Sequence, residues 1–144
     1  MENSAQNNEK LQMEPEELAN LCFDICEEKK AADILLFDVR DKSIIADYYL
    51  VCSGTSLPHI LAIGDNIRKS LNAKGVLARG QDGEPGSKWM ILDYGTVLVH
   101  ILEPQMRNFY ALEQLWAEER IVRRGGQPLP MTFQQTPVQG GNNL

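Results

Sequence analysis

The sequence is poor in the residues that metal sites and oxidised frameworks require. It has two histidines, His59 and His100, with no cysteine or histidine at ligand spacing beside either. A metal site usually needs three or four converging ligands, so no ligand set is visible. The three cysteines, at 22, 26 and 52, are odd in number and make no disulfide framework. Cys22 and Cys26 stand four apart, share one face of a helix and read as small apolar residues. A reducing compartment follows. No apolar run approaches the roughly 20 residues that span a bilayer. Met1 to Glu14 is polar, without the apolar centre of a signal peptide. The expected location is the cytoplasm. Cationic excess is also missing: 14 Lys and Arg face 20 Asp and Glu, for a net charge of −6. Free-standing nucleic-acid binders need the opposite balance, to replace counterions along phosphates. An acidic surface does suit a basic protein partner, whose encounter it would accelerate.

Catalytic motifs are equally scarce. Gly54-Thr55-Ser56 is a small-residue turn ahead of a helix, where backbone N–H groups can hold phosphate. It lacks the Walker spacing of glycines, lysine and hydroxyl. Nucleotidyltransferases share the strand, turn and helix, but they need a downstream pair of acidic residues alternating along a strand. Val76-Leu77-Ala78-Arg79 has no such pair, and Asp82 and Glu84 alternate inside a Gly/Pro loop. A nucleotide-binding or nucleotidyltransferase-like enzyme using Gly54 to Ser56 is therefore the competing reading, against a plain helix cap. Cys52 and Ser53 precede Gly54 outside any Gly-x-Ser-x-Gly elbow. No catalytic residue, metal or cofactor is assigned, and the chain is read as a non-enzyme.

What is present is one α/β domain of ordinary size. Residues 1–13 and 125–144 are polar or rich in Gly, Pro and Gln, and are expected to be disordered tails around a body spanning 14–124. Glu14-Pro15 opens a helix whose Leu18, Leu21, Cys22, Ile25 and Cys26 form a buried stripe, with Lys29 and Lys30 in its last turn. Ile34 to Val39 and Tyr48 to Cys52 are short continuous apolar runs, as in strands covered on both sides. A helix follows from Leu57 to Lys74, stopped by Gly75, then a short strand at Val76 to Ala78. Lys88 to Asp93 and Thr96 to Leu102 make an antiparallel hairpin through Tyr94-Gly95. A last helix starts at Glu103-Pro104 and offers Met106, Phe109, Tyr110, Leu112, Leu115 and Trp116 for packing. The expected architecture is a mixed sheet of about five strands with helices packed on it. Arg120, Arg123 and Arg124 form a small basic cluster, either a solvated helix end or an auxiliary contact to phosphate.

The run Lys88-Trp89-Met90-Ile91-Leu92-Asp93-Tyr94-Gly95-Thr96-Val97-Leu98-Val99-His100, then Arg107-Asn108-Phe109-Tyr110 and Leu112-Glu113-Gln114-Leu115-Trp116, resembles the Iojap family of ribosomal silencing factors. Asp33-Ile34, Asp38-Val39, Ala46-Asp47-Tyr48-Tyr49 and Ser53-Gly54-Thr55-Ser56 extend the likeness over about Pro15 to Glu118. Tyr49 stands where Phe is usual, Asp82-Gly83 replaces Glu-Gly, and Thr96 stands where the family often has Asp. The resemblance implies a nucleotidyltransferase-like fold without the catalytic acids. It also implies docking on the number-fourteen protein of the large ribosomal subunit, so that the small subunit cannot join and translation falls when nutrients are scarce. Free members tend to be homodimers.

Alternation along the strand sets Trp89, Ile91 and Asp93 on one face and Lys88, Met90, Leu92 and Tyr94 on the other. Aromatic anchors dominate protein interfaces, so the face of Trp89 beside the Tyr94-Gly95 turn is the candidate docking surface, with core packing the competing reading for Trp89. The expected partner-binding residues are Lys88, Trp89, Ile91, Asp93, Tyr94, Gly95, Arg107 and Tyr110. Asp93 either accepts hydrogen bonds from a basic partner or holds the hairpin turn, while Arg107 and Tyr110 are structural or interfacial. Trp116, with Leu112 and Leu115, is assigned to the core.

Overall fold

The computed structural model describes residues 13–82, 88–110 and 116–129. Helix α1, Pro15–Glu28, has proline in its first turn with Glu16 and Glu17, where the helix dipole favours acids. It buries Leu18, Ala19, Cys22, Phe23, Ile25 and Cys26. Its end is closed by two hydrogen bonds, Ala31 N–H to the Cys26 carbonyl at 2.9 Å and Lys30 N–H to that of Glu27 at 3.0 Å. Lys30 takes the left-handed φ of 63° that this stop requires. The two lysines thus lie at and beyond the helix end rather than in its last turn.

Helix α2, Leu57–Ala73, buries Ile60, Ile63, Gly64, Ile67 and Leu71, and ends in the same way at Gly75, φ 82°. There Val76 N–H bonds the Leu71 carbonyl at 2.8 Å. That bond, with the chain reversal at Gly75, keeps Val76–Ala78 out of the sheet. The strand expected there lies further on, at Gly80–Asp82, and Asp82 is a ladder residue opposite Ile91. Glu84 lies outside the described residues.

The strands are β1 (Ala32–Asp38), β2 (Tyr48–Ser53), β3 (Gly80–Asp82), β4 (Trp89–Asp93), β5 (Val97–Leu102) and β6 (Ile121–Gly125). They lie in the order β3-β4-β5-β2-β1-β6; β2 and β5 run parallel and every other pair is antiparallel. The α/β class and mixed sheet are as expected, with β6 added at one edge. Short helix α3, Pro104–Tyr110, and a 3-10 turn at Glu118–Arg120 complete the elements of the described residues. Among the described residues no helix is long and apolar enough to cross a membrane.

Of the basic cluster that resembles a helix end, Arg120 closes the 3-10 turn, while Arg123 and Arg124 lie on the edge strand β6, where charge discourages pairing with foreign strands. Its register against β1 shifts between Leu36 and Phe37. Ile121 consequently packs with Phe37 on one side of the sheet, while Arg123 lies over the Phe23 ring of α1, 3.9 Å from its centroid, on the other. A second irregularity falls between Ala32 and Leu35, where Asp33 has φ 47°.

The sheet separates two apolar clusters. α1 and α2 cover one face, closing over Ile34, Leu36, Tyr48, Leu50, Cys52, Met90, Leu92, Val97, Val99 and Ile101. Gly64 allows this approach, since a methyl there would run into the Met90 sulfur. The second face carries Leu35, Phe37, Val39, Tyr49, Val51 and Leu102, with Trp89, Leu98, Met106, Trp116 and Ile121 packed around them and only partly buried.

Candidate docking face

The β4–β5 hairpin decides which side chains reach the second face. Burial alternates along β4: Met90 and Leu92 are buried among the helices, whereas Trp89, Ile91 and Asp93 are half-buried on the second face. The alternation expected for the strand is therefore present. At its tip Asp93 accepts the Gly95 N–H at 2.8 Å, and Gly95 has φ 84°. Asp93 holds the turn, the structural one of its two readings. Lys88 is exposed at the other end, its Nζ 3.5 Å from Glu103.

Trp89 sits against His100, donating its indole N–H to Nδ1 at 3.1 Å, with ring centroids 5.9 Å apart. Tyr49 lies 4.8 Å from the same imidazole and meets Trp116 edge-on at 6.0 Å. Burial pushes the His100 imidazole down to about 4, so it is neutral at physiological pH. This chain of four rings was legible only in part. The turn at Tyr94-Gly95 sets Ile91 opposite His100 and Trp89 opposite Leu102, leaving Trp89 and His100 as diagonal neighbours within reach. Counting back from the turn is the signal that finds the pair.

Two expected surface residues have their side chains inside. Tyr94 continues the even-numbered side of β4, and its ring joins the core under α1 and α2, where burial raises its phenol. Arg107 is 1% exposed and donates from Nη1 to the Ser53 hydroxyl at 3.1 Å, with Nη2 3.5 Å from the half-exposed Asp33 carboxylate. Its guanidinium ties α3 to the ends of β1 and β2, which is the structural one of its two readings. Tyr110 closes α3, but its side chain is outside what the structure describes. Trp116 is half-buried on the second face; Leu112 and Leu115 lie outside the described residues.

The Gly54–Ser56 turn has few donors to spare for a phosphate. Gly54 N–H bonds the Leu102 carbonyl at 3.2 Å, Thr55 N–H bonds His59 Nδ1 at 3.1 Å, and His59 N–H bonds the Ser56 hydroxyl at 3.2 Å. His59 Nε2 donates to the Lys29 carbonyl at 3.0 Å, which ties the turn to the end of α1. These contacts make the turn a helix cap. Cys22, Cys26 and Cys52 are fully buried thiols, the Cys26 and Cys52 sulfurs 3.8 Å apart. Burial pushes Cys22 up to about 12, far from a reactive thiolate. The basic cluster is engaged as well: Arg120 pairs with Asp41, Arg123 with Asp24 at 3.1 Å, and Arg124 with Glu118 at 3.0 Å. Among the described residues no group of three or more His, Cys, Asp or Glu is placed to hold a metal.

Comparison with known proteins establishes the family and the fold. Residues 12–140 match the family described as ribosomal silencing factor during starvation. A ribosomal silencing factor of Bacillus subtilis is 33% identical over 97 residues, covering 67% of this chain and 82% of that protein. One from Haemophilus influenzae is 39% identical over 88 residues, covering 61% and 86%. A crystal structure of a Chromobacterium violaceum protein superposes with a TM-score of 0.69 at 29% identity, covering 82% of this chain and 92% of that one. With a family match over nearly its whole length and a fold shared with a solved structure, the chain belongs to the ribosomal silencing factor family.

Proposed function

We propose that the chain represses translation without catalysis, by docking its second sheet face on the number-fourteen protein of the large ribosomal subunit. Occupancy of that surface then keeps the small subunit from joining when nutrients are limiting. The observation that carries this reading is the half-buried Trp89, which with Leu98, Trp116 and Ile121 forms the partly exposed apolar layer over the buried residues of the second face. Apolar patches rimmed by polar groups mark interaction sites, and aromatic anchors dominate them. Lys88 and Asp93 stand at the rim. The net charge of −6 suits a basic ribosomal partner. The protein acts in the cytoplasm and is a homodimer when free. Ribosomal RNA contact is at most auxiliary, because it must displace the ion pairs of Arg120, Arg123 or Arg124.

Co-sedimentation tests the proposal. The protein should travel with isolated large subunits and be absent from joined ribosomes. Trp89→Ala should weaken large-subunit binding by about 2 kcal/mol, the cost of truncating an interface anchor. Unchanged co-sedimentation of a folded Trp89→Ala protein overturns the assignment of this face. Calorimetric titration with nucleoside triphosphate and magnesium should show no saturating heat; saturation at one site would restore the enzyme reading.

A further inference from the structure

The indole N–H of Trp89 is donated within the fold, and the geometry of its acceptor bears on what a partner must offer. A tryptophan ring supplies a large apolar area but carries one polar atom, which needs a hydrogen-bond acceptor once buried. On a half-buried residue water can meet that need, until a partner covers the ring and removes the water. Here His100 Nδ1 accepts the N–H at 3.1 Å. The imidazole is 7% exposed, with Tyr49 against it at 4.8 Å and Ile91 and Val51 opposite it on the two neighbouring strands. Burial holds it neutral, and acceptance at Nδ1 places its proton on Nε2.

We propose that His100 is a positioning residue of the docking face: by accepting the Trp89 N–H it presents the indole as a purely apolar anchor, fit for a partner surface that is apolar where it meets Trp89 and provides no hydrogen-bond acceptor. The inference rests on the docking reading given above and adds the chemistry of the partner's contact. The acceptor is already in place before docking, so covering the ring strands no donor. Without His100 the same contact leaves an indole N–H dry and unpaired, or obliges the ring to turn out of the aromatic row.

The test uses the full-length chain titrated against purified large ribosomal subunits. His100→Leu should weaken binding roughly tenfold, the loss expected for one buried unpaired donor. His100→Asn, whose Oδ1 stands near the position of Nδ1, should recover most of that loss. In a Trp89→Phe background, which has no N–H to satisfy, His100→Leu should cost nothing further. Solvent exchange of the indole proton should be slow in the wild type and in His100→Asn, and fast in His100→Leu. Two results overturn the proposal while leaving docking intact: His100→Leu binding like the wild type, or an equal tenfold loss in the Trp89→Phe background, which would mark His100 as structural only. Failure of the wild-type chain to bind large subunits removes the docking reading itself, and this inference with it.

Discussion

Acid should weaken the folded protein through His100 as the pH falls below 6.5. The imidazole is 7% exposed, and burial lowers it from an ordinary value of 6.5 to about 4. Above 6.5 it is neutral in both folded and unfolded chains, and its preference for the folded state is fully present. As the pH falls, the unfolded chain takes up a proton that the folded one refuses, so stability is lost down to about 4. At 1.36 kcal/mol per unit, the loss between pH 7.5 and pH 5 is about 2 kcal/mol from this residue. Asp38 and Asp41, which their arginine partners hold below the usual carboxylate value, titrate under this window and do not contribute within it. The assay is urea unfolding at pH 7.5, 6 and 5 for the wild type and His100→Asn. The variant need not match the wild type at any one pH; what matters is the difference between their slopes. The wild type should lose about 2 kcal/mol more than the variant over the range. Parallel curves would falsify the assignment of a buried, neutral His100.

Two further expectations concern groups that the fold has withdrawn from solvent. Arg107→Ala should cost about 3 kcal/mol in urea unfolding, because it empties a buried site and frees the Ser53 hydroxyl, whereas Asp33→Asn should cost less, since that side chain is 45% exposed and asparagine still offers the guanidinium an acceptor. Equal costs would show that the ion pair, rather than packing, holds α3. The three cysteines should resist a thiol reagent in the native state and react only as fast as the protein unfolds, given their burial and the raised values of Cys22 and Cys26. Rapid labelling of any one of them under native conditions contradicts the packing of α1 on β2.

The hairpin was legible because its determinants are local. Alternation along Trp89–Asp93 and the Asp-Tyr-Gly turn are properties of a few adjacent residues, and they place Trp89 and Ile91 on one face with Met90 and Leu92 on the other. The same alternation already sent Tyr94 to the side of Met90, where its ring is buried. It stands apart from the Trp89 face even though it neighbours the same turn. Helices α1 and α2 were legible too, since their buried stripes and stops are encoded within one segment each.

β6 was not legible, because Ile-Val-Arg-Arg-Gly is too polar to announce a strand and becomes one by pairing with β1, far away in sequence. The strand expected at Val76–Ala78 moved to Gly80–Asp82 because the helix stop claimed the Val76 N–H first. By itself, then, the sequence determined the α/β class, the hairpin, the family likeness and that Trp89, Ile91 and Asp93 share one side of β4, all of which follow from local pattern; it left open which sheet face that side meets. Only the tertiary structure decided that Arg107 is buried against Ser53 and Asp33, and that Trp89 has His100 as its acceptor. The physical reason is the same in both cases: the fate of a polar group depends on what long-range strand pairing brings beside it, and composition does not carry that information.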